Sequence, residues 1–127
     1  MTPDEKLAKL YKKYSGHPEF LGTEIVDPNQ CGSLDSTLLH IAAEKGAIED
    51  IQILIASGAK VDAAGDMGNT PLHAAAMMGR IESVKLLLQY GSNPNLTNEL
   101  GQTPLVVAEL GKKKAIVNLI KSWRSYD

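Results

Sequence analysis

Gly68-Asn69-Thr70-Pro71-Leu72-His73-Ala74-Ala75-Ala76 has a near-copy upstream, Asp35-Ser36-Thr37-Leu38-Leu39-His40-Ile41-Ala42-Ala43. Thr70 follows Thr37 by 33 residues, and a further 33 reaches Thr103, which opens Thr103-Pro104-Leu105-Val106-Val107-Ala108. A fixed period of this length marks small supersecondary units stacked side by side. One such unit cannot bury its apolar face alone, so its neighbours supply the core. The period moves the functional question from a central cleft to an extended surface.

The middle unit reads most completely. Asp66-Met67-Gly68-Asn69 is turn-forming, with Gly68 free to take positive φ. Thr70 is a helix cap, and Pro71 suits the first helical position, where a missing N–H costs nothing. Leu72, Ala75 and Ala76 share one side of that helix, and the alanines keep it thin enough for close stacking. Gly79 ends it. A second helix over about Ile81 to Tyr90 has Ile81, Val84, Leu87 and Leu88 at buried spacing, and Gly91 ends it with positive φ. Gly46, Gly58, Ile48, Ile51, Leu54 and Ile55 repeat these features one period earlier, and Ile116, Val117, Leu119 and Ile120 continue the apolar pattern. Asn29, Asp62 and Asn95 fall at one turn position, 33 residues apart.

These residues resemble the ankyrin repeat pattern: Gly-x-Thr-Pro-Leu-His-x-Ala-Ala, a glycine, an apolar second helix and a Gly-Ala-Asp-Val-Asn-like return. The resemblance covers about residue 33 onward. Departures are local. Leu38 replaces the motif proline, Val106 the motif histidine, and Lys112 the glycine after the first helix. The resemblance implies an all-α repeat fold, a solenoid of stacked helix-turn-helix units joined by β-hairpin-like loops. The implied units are residues 33–64, 65–98 and 99–127, the last a C-terminal cap, behind a degenerate N-terminal capping unit at 1–32.

In that first segment Leu7, Leu10, Tyr11 and Tyr14 follow helical spacing, so Asp4 to Ser15 reads as an amphipathic helix. Gly16 and Pro18 interrupt it, and Glu19-Phe20-Leu21 suggests a short turn. Adding 33 places this helix over Thr37 to Lys45. Its lysines then keep the end of the stack wet, as terminal units require; the rival reading is a helix that docks on a partner. The expected array has four helix pairs, the first degenerate and the last shortened near Trp123, with Trp123 and Tyr126 closing the far end.

The chain has 127 residues, 43% hydrophobic but only 5% aromatic, which suits thin repeated layers. Its formal charge is -2, from 13 basic and 15 acidic side chains, and points to neither nucleic acid nor an anionic membrane. No segment approaches the roughly 18 apolar residues of a membrane span. Met1-Thr2-Pro3-Asp4-Glu5 does not open a signal peptide, and Cys31, the single cysteine, excludes a disulfide framework. The expectation is a cytoplasmic protein.

His40 and His73 are the candidates for metal or catalytic chemistry. The resemblance implies another role, in which the ring hydrogen-bonds within the hairpin and to neighbouring backbone. A metal site needs a third ligand, but His17 lies far along the stack and position 106 is Val. Gly65-Asp66-Met67-Gly68 lacks the length and the lysine of a phosphate loop. No cofactor or metal is expected.

Ankyrin stacks generally bind proteins through hairpin tips and the exposed side of the first helices. Laid onto this chain, that surface takes in Ser33, Leu34, Ser36, Glu44 and Lys45, then Asp66, Met67, Asn69, Met77 and Met78, then Glu99, Leu100, Gln102 and Leu110. Leu34, Met67, Met77, Met78, Leu100 and Leu110 are apolar where the repeat does not need them to be. The partner-binding candidates are therefore these six, with Asp66, Asn69, Glu99 and Gln102 around them. The implied function is non-enzymatic: a small adaptor, regulatory or inhibitor (immunity-type) protein that binds a protein partner through its concave face and is a monomer when free. The alternatives are a metal protein or enzyme using His40 and His73, and a fragment of a larger scaffold.

Overall fold

The computed structural model describes residues 1–123. Among these residues there are seven α-helices: α1 (Pro3–Tyr14), α2 (Leu38–Lys45), α3 (Ile48–Ala56), α4 (Pro71–Met77), α5 (Ile81–Gln89), α6 (Pro104–Leu110) and α7 (Lys114–Ser122). The helices form two rows. In the inner row α2 packs on α4 and α4 on α6; in the outer row α1 packs on α3, α3 on α5 and α5 on α7.

The 33-residue ladder explains the packing. Ala42, Ala75 and Ala108 are fully buried at one register position of the inner row. Their small side chains let successive helices approach while Leu39 and Leu72 fill the layer behind them. Leu54, Leu87 and Ile120 occupy one register position of the outer row and are all buried. The second helices are less evenly buried than expected. Ile81, read as a core residue, is 39% exposed, because it opens α5 while the apolar stripe is set by Val84, Leu87 and Leu88.

Each inner helix begins with a threonine cap. Thr37, Thr70 and Thr103 Oγ accept from the backbone N–H three residues on, at positions 40, 73 and 106. The loops between units are tied by side chains of that same period. Asn29 Oδ1 accepts from Lys60 N–H at 2.7 Å, and Asp62 accepts from Asn93 N–H at 3.1 Å. Positions 29 and 62 thus do the same work in successive turns.

Two expectations about the ends are corrected. The array has three full helix pairs; ahead of them α1 is followed by a single 3-10 turn, Pro18–Phe20, where a short turn was expected, and not by a second α-helix. α1 does not lie over α2 as the addition of 33 suggested; it packs on α3, in the row of second helices. Tyr14 and Asp50 explain this. The Tyr14 hydroxyl donates to Asp50 Oδ2 at 2.7 Å, and Lys13 forms an ion pair with the same oxygen. Burial, and then the adjoining Asp50 carboxylate, raise the Tyr14 pKa, so the phenol keeps its proton and remains a donor. The C-terminal pair is not shortened: α7 has nine residues, as do α3 and α5. Trp123 is half-buried against the core, and Tyr126 lies outside the described residues.

Left-handed backbone recurs at the helix ends. Gly46, Gly58, Gly79 and Gly91 all have positive φ, as expected for the second of each pair and additionally for the first. At Gly91, with φ 92°, a Cβ would meet nothing within 4 Å. Gly91→Val is therefore expected to cost about 1 kcal/mol or more from the backbone alone. Unchanged unfolding in denaturant would contradict this. Lys112 stands where Gly46 and Gly79 stand in the other units and is held at φ 56°. Lys112→Gly should relieve that strain and raise stability by about 0.5 to 1 kcal/mol. A lower denaturation midpoint would count against it.

Candidate functional site

The loops between units end in tight tips. Gly32 N–H donates to Ser36 O at 2.9 Å, Gly65 N–H to Asn69 O at 2.8 Å, and Asn98 N–H to Gln102 O at 2.9 Å. Each closure is one repeat period from the next. These are hairpin-like turns without strands; an isolated bridge between Cys31 and Thr37 is the β feature among the described residues.

The histidines hold the tips to the helices. His40 Nδ1 accepts from Thr37 N–H at 3.1 Å, and its Nε2 lies 2.7 Å from Asn69 O in the next unit. His73 repeats this with Thr70 N–H at 3.0 Å and Gln102 O at 2.8 Å. An acceptor at Nδ1 places the ring proton on Nε2, which then donates to the carbonyl. Burial lowers both histidine pKa values against the opposing pull of those carbonyl acceptors, so the rings are held neutral. Both nitrogens of each ring are occupied by protein groups. Among the described residues, no three His, Cys, Asp or Glu side chains converge to hold a metal. Gly65 packs against the His40 ring so closely that a Cβ would stand 2.8 Å from Nε2. A side chain at that position has no room.

The expected surface residues fall into two registers. Leu34, Met67 and Leu100 share a tip position and are 59%, 45% and 67% exposed. Met77 and Leu110 share the end of the first helix and, with Met78, are 48%, 68% and 51% exposed. Asp66 and Glu99 are exposed at the tips, and Glu99 N–H donates to Met67 O at 2.9 Å, joining two adjacent tips. Met67 is also one of three non-glycine residues among those described with positive φ, at 58°.

Asn69 and Gln102 prove different from their neighbours. Both are half-buried. Asn98 Nδ2 donates to Asn69 Oδ1 at 3.0 Å and to Gln102 Oε1 at 3.1 Å. Their side chains brace the tips rather than stand free in solvent.

Two bracing residues escaped the sequence reading. Asn98 Oδ1 accepts from Leu100 and Gln102 N–H, each at 3.0 Å, and shapes the third tip. The available signal was an asparagine at the position where the other units have Gly32 and Gly65. Glu19 does the corresponding work at the first tip: its Oε1 accepts from Leu34 N–H at 3.2 Å and Ser36 N–H at 3.3 Å. No periodicity marks Glu19, because it reaches that place from the segment before the repeats.

A family model described as ankyrin repeats (3 copies) matches the chain over residues 8–98 and 39–125. The chain belongs to the ankyrin repeat family. No curated protein matches it. Ankyrin repeats are generally protein–protein interaction modules and typically have no enzymatic activity. Among the described residues no helix is long and apolar enough to cross a membrane. In the ankyrin stack each of these histidines ties its own unit to the tip of the next, His40 to Asn69 O and His73 to Gln102 O.

Proposed function

We propose that the protein is a non-enzymatic binding module that engages another protein through the tips and the ends of the first helices. The observation that supports this is the exposure of Leu34, Met67 and Leu100 at one register position of three successive tips. The folding requirements of those units are met elsewhere, by Leu72, Ala75, Val84, Leu87 and their equivalents. Large apolar side chains repeated on a surface carry no benefit for folding, whereas a row of them forms the centre of an interface. Met77, Met78 and Leu110 extend the row onto the first helices. Methionine adapts its shape to a partner, which suits this role. Asp66 and Glu99 orient the partner from the edge, and Asn69 and Gln102 contribute by fixing the tips they brace.

In this reading the protein makes no covalent change to its partner. It acts in the cytoplasm as an adaptor, a regulatory subunit or an inhibitor of the immunity type, and is a monomer when free. Residues 1–32 serve as the N-terminal cap. The test is capture from a lysate of the native organism with two baits, the wild type and a Met77→Asp, Met78→Asp double variant. A partner retained by the first and lost by the second supports the reading. Equal recovery by a folded double variant overturns it.

A further inference from the structure

The charges are unevenly placed. No lysine or arginine occurs in residues 14–44, 61–79 or 86–111, which together carry all three tips and the first helices apart from Lys45. The acidic residues Asp35, Asp66 and Glu99 stand exposed at the tips, beside Leu34, Met67 and Leu100. Glu44 and Glu109 are exposed near the ends of the first helices. Four lysines lie on α1, and Lys45, Arg80, Lys112 and Lys113 gather where the first helices end, with Arg80 Nε donating to Glu44 O at 2.8 Å, so the acidic excess belongs to the tips. Among the described residues the single salt bridge, Lys13 with Asp50, lies in the outer row. The carboxylates of the tip face have no cation within ion-pair distance there. A chain with a formal charge of only -2 thus presents one face that is acidic and apolar together.

We infer that this face takes a cationic amphipathic helix, laid across the three tips along the stack. The inference rests on the binding face proposed above and specifies its occupant. Charge decides the sign of the partner, since apolar anchors set among unneutralised carboxylates favour lysine and arginine between the partner's own anchors. Geometry decides its form. Adding a strand requires an open sheet edge, and no strand is present among the described residues. Stacked helical units lie about 10 Å apart, and a helix rises 1.5 Å per residue, so apolar residues about seven apart match successive tips. Three tips then accept a helix of roughly 14 residues or more. Its apolar side chains pack on Leu34, Met67 and Leu100, and its cations meet Asp35, Asp66 and Glu99.

The probe is a synthetic peptide of roughly 18 residues, leucine at every seventh position and lysine-rich between, with a twin carrying glutamate for lysine. Each is titrated into isotope-labelled protein and followed by amide shifts. The lysine peptide is expected to shift amides of residues 33–36, 66–69 and 99–102, and to weaken as salt rises from about 50 mM to about 500 mM. An Asp35→Asn, Asp66→Asn, Glu99→Gln variant is expected to bind it at least tenfold more weakly; Asp35→Asn suits the left-handed backbone there. Should that variant fail to fold, the salt series on the wild type tests the same dependence on charge. Equal binding of both peptides at the tips would overturn the inference while leaving the binding face standing. No shift at the tips with the lysine peptide, while the natural partner still shifts them, would overturn the inference alone. Shifts from that partner confined to α1 and α3 would overturn both.

Discussion

Replacing His73 with alanine is expected to lower the unfolding free energy by about 1 to 3 kcal/mol. The substitution removes the acceptor for Thr70 N–H and the donor to Gln102 O. Thr70 is buried, so its amide loses a partner where water cannot replace it. The threonine cap itself survives, because Thr70 Oγ accepts from the backbone N–H of residue 73. The loss should therefore appear as weakened coupling between the second and third tips, not as loss of α4. The pH dependence provides a second readout. Folding lowers the histidine pKa from 6.5, so above that value both states are neutral and the full stability is present. As pH falls below 6.5, the unfolded chain takes up the proton first, and stability declines toward the folded pKa. A titration of unfolding free energy between about pH 7 and pH 5 should therefore be less steep in His73→Ala than in the wild type, where His73 contributes at most about 1.4 kcal/mol per pH unit. Stoichiometric zinc in wild-type protein purified without added metal, lost on this substitution, would contradict the structural role.

The double variant Met77→Asp, Met78→Asp should fold like the wild type and lose its partner. Both side chains are about half exposed, so carboxylates at these positions remain hydrated in the free protein. Against the partner's apolar anchors, away from the cations that meet the tip carboxylates, the same carboxylates must give up their water. Truncation of one hot-spot residue to alanine costs about 2 kcal/mol, roughly thirtyfold in affinity, and two buried charges should cost more. Glu99→Ala, at the rim, should weaken binding by less than about tenfold and mainly slow association. Titration calorimetry with the purified partner measures all three. Wild-type affinity in the folded double variant would overturn the tips and first-helix ends as the binding face.

The repeats were legible because Thr70, Pro71, Leu72 and His73 each have one steric or hydrogen-bonding task, and that task recurs every 33 residues. The glycines at 58 and 91 were legible for the same reason. α1 was legible as an amphipathic helix from Leu7, Leu10, Tyr11 and Tyr14, but its row was not, since it lacks a threonine-histidine marker and its docking depends on a contact between Tyr14 and Asp50, far apart in sequence. Periodicity aligns residues along the chain; it carries no information on which row an unmarked helix joins. The exposure of Leu34, Met67, Met77, Met78, Leu100 and Leu110 was legible, because the core positions were already occupied. The bracing by Asn69 and Gln102 was not, since it needs the rotamer of Asn98 between them. Asp35 at φ 68° was hidden by chemistry: its equivalents are Gly68 and Gly101, but aspartate also suits ordinary turns.

Amide hydrogen exchange of the protein with and without its bound partner tests the central claim most directly. Binding through the tip face should slow exchange at residues 33–36, 66–69, 77–78 and 99–102 and leave the exposed ends of α1, α3 and α5 unchanged. Protection confined to α1 and the outer row, with the tips exchanging as in the free protein, would contradict it.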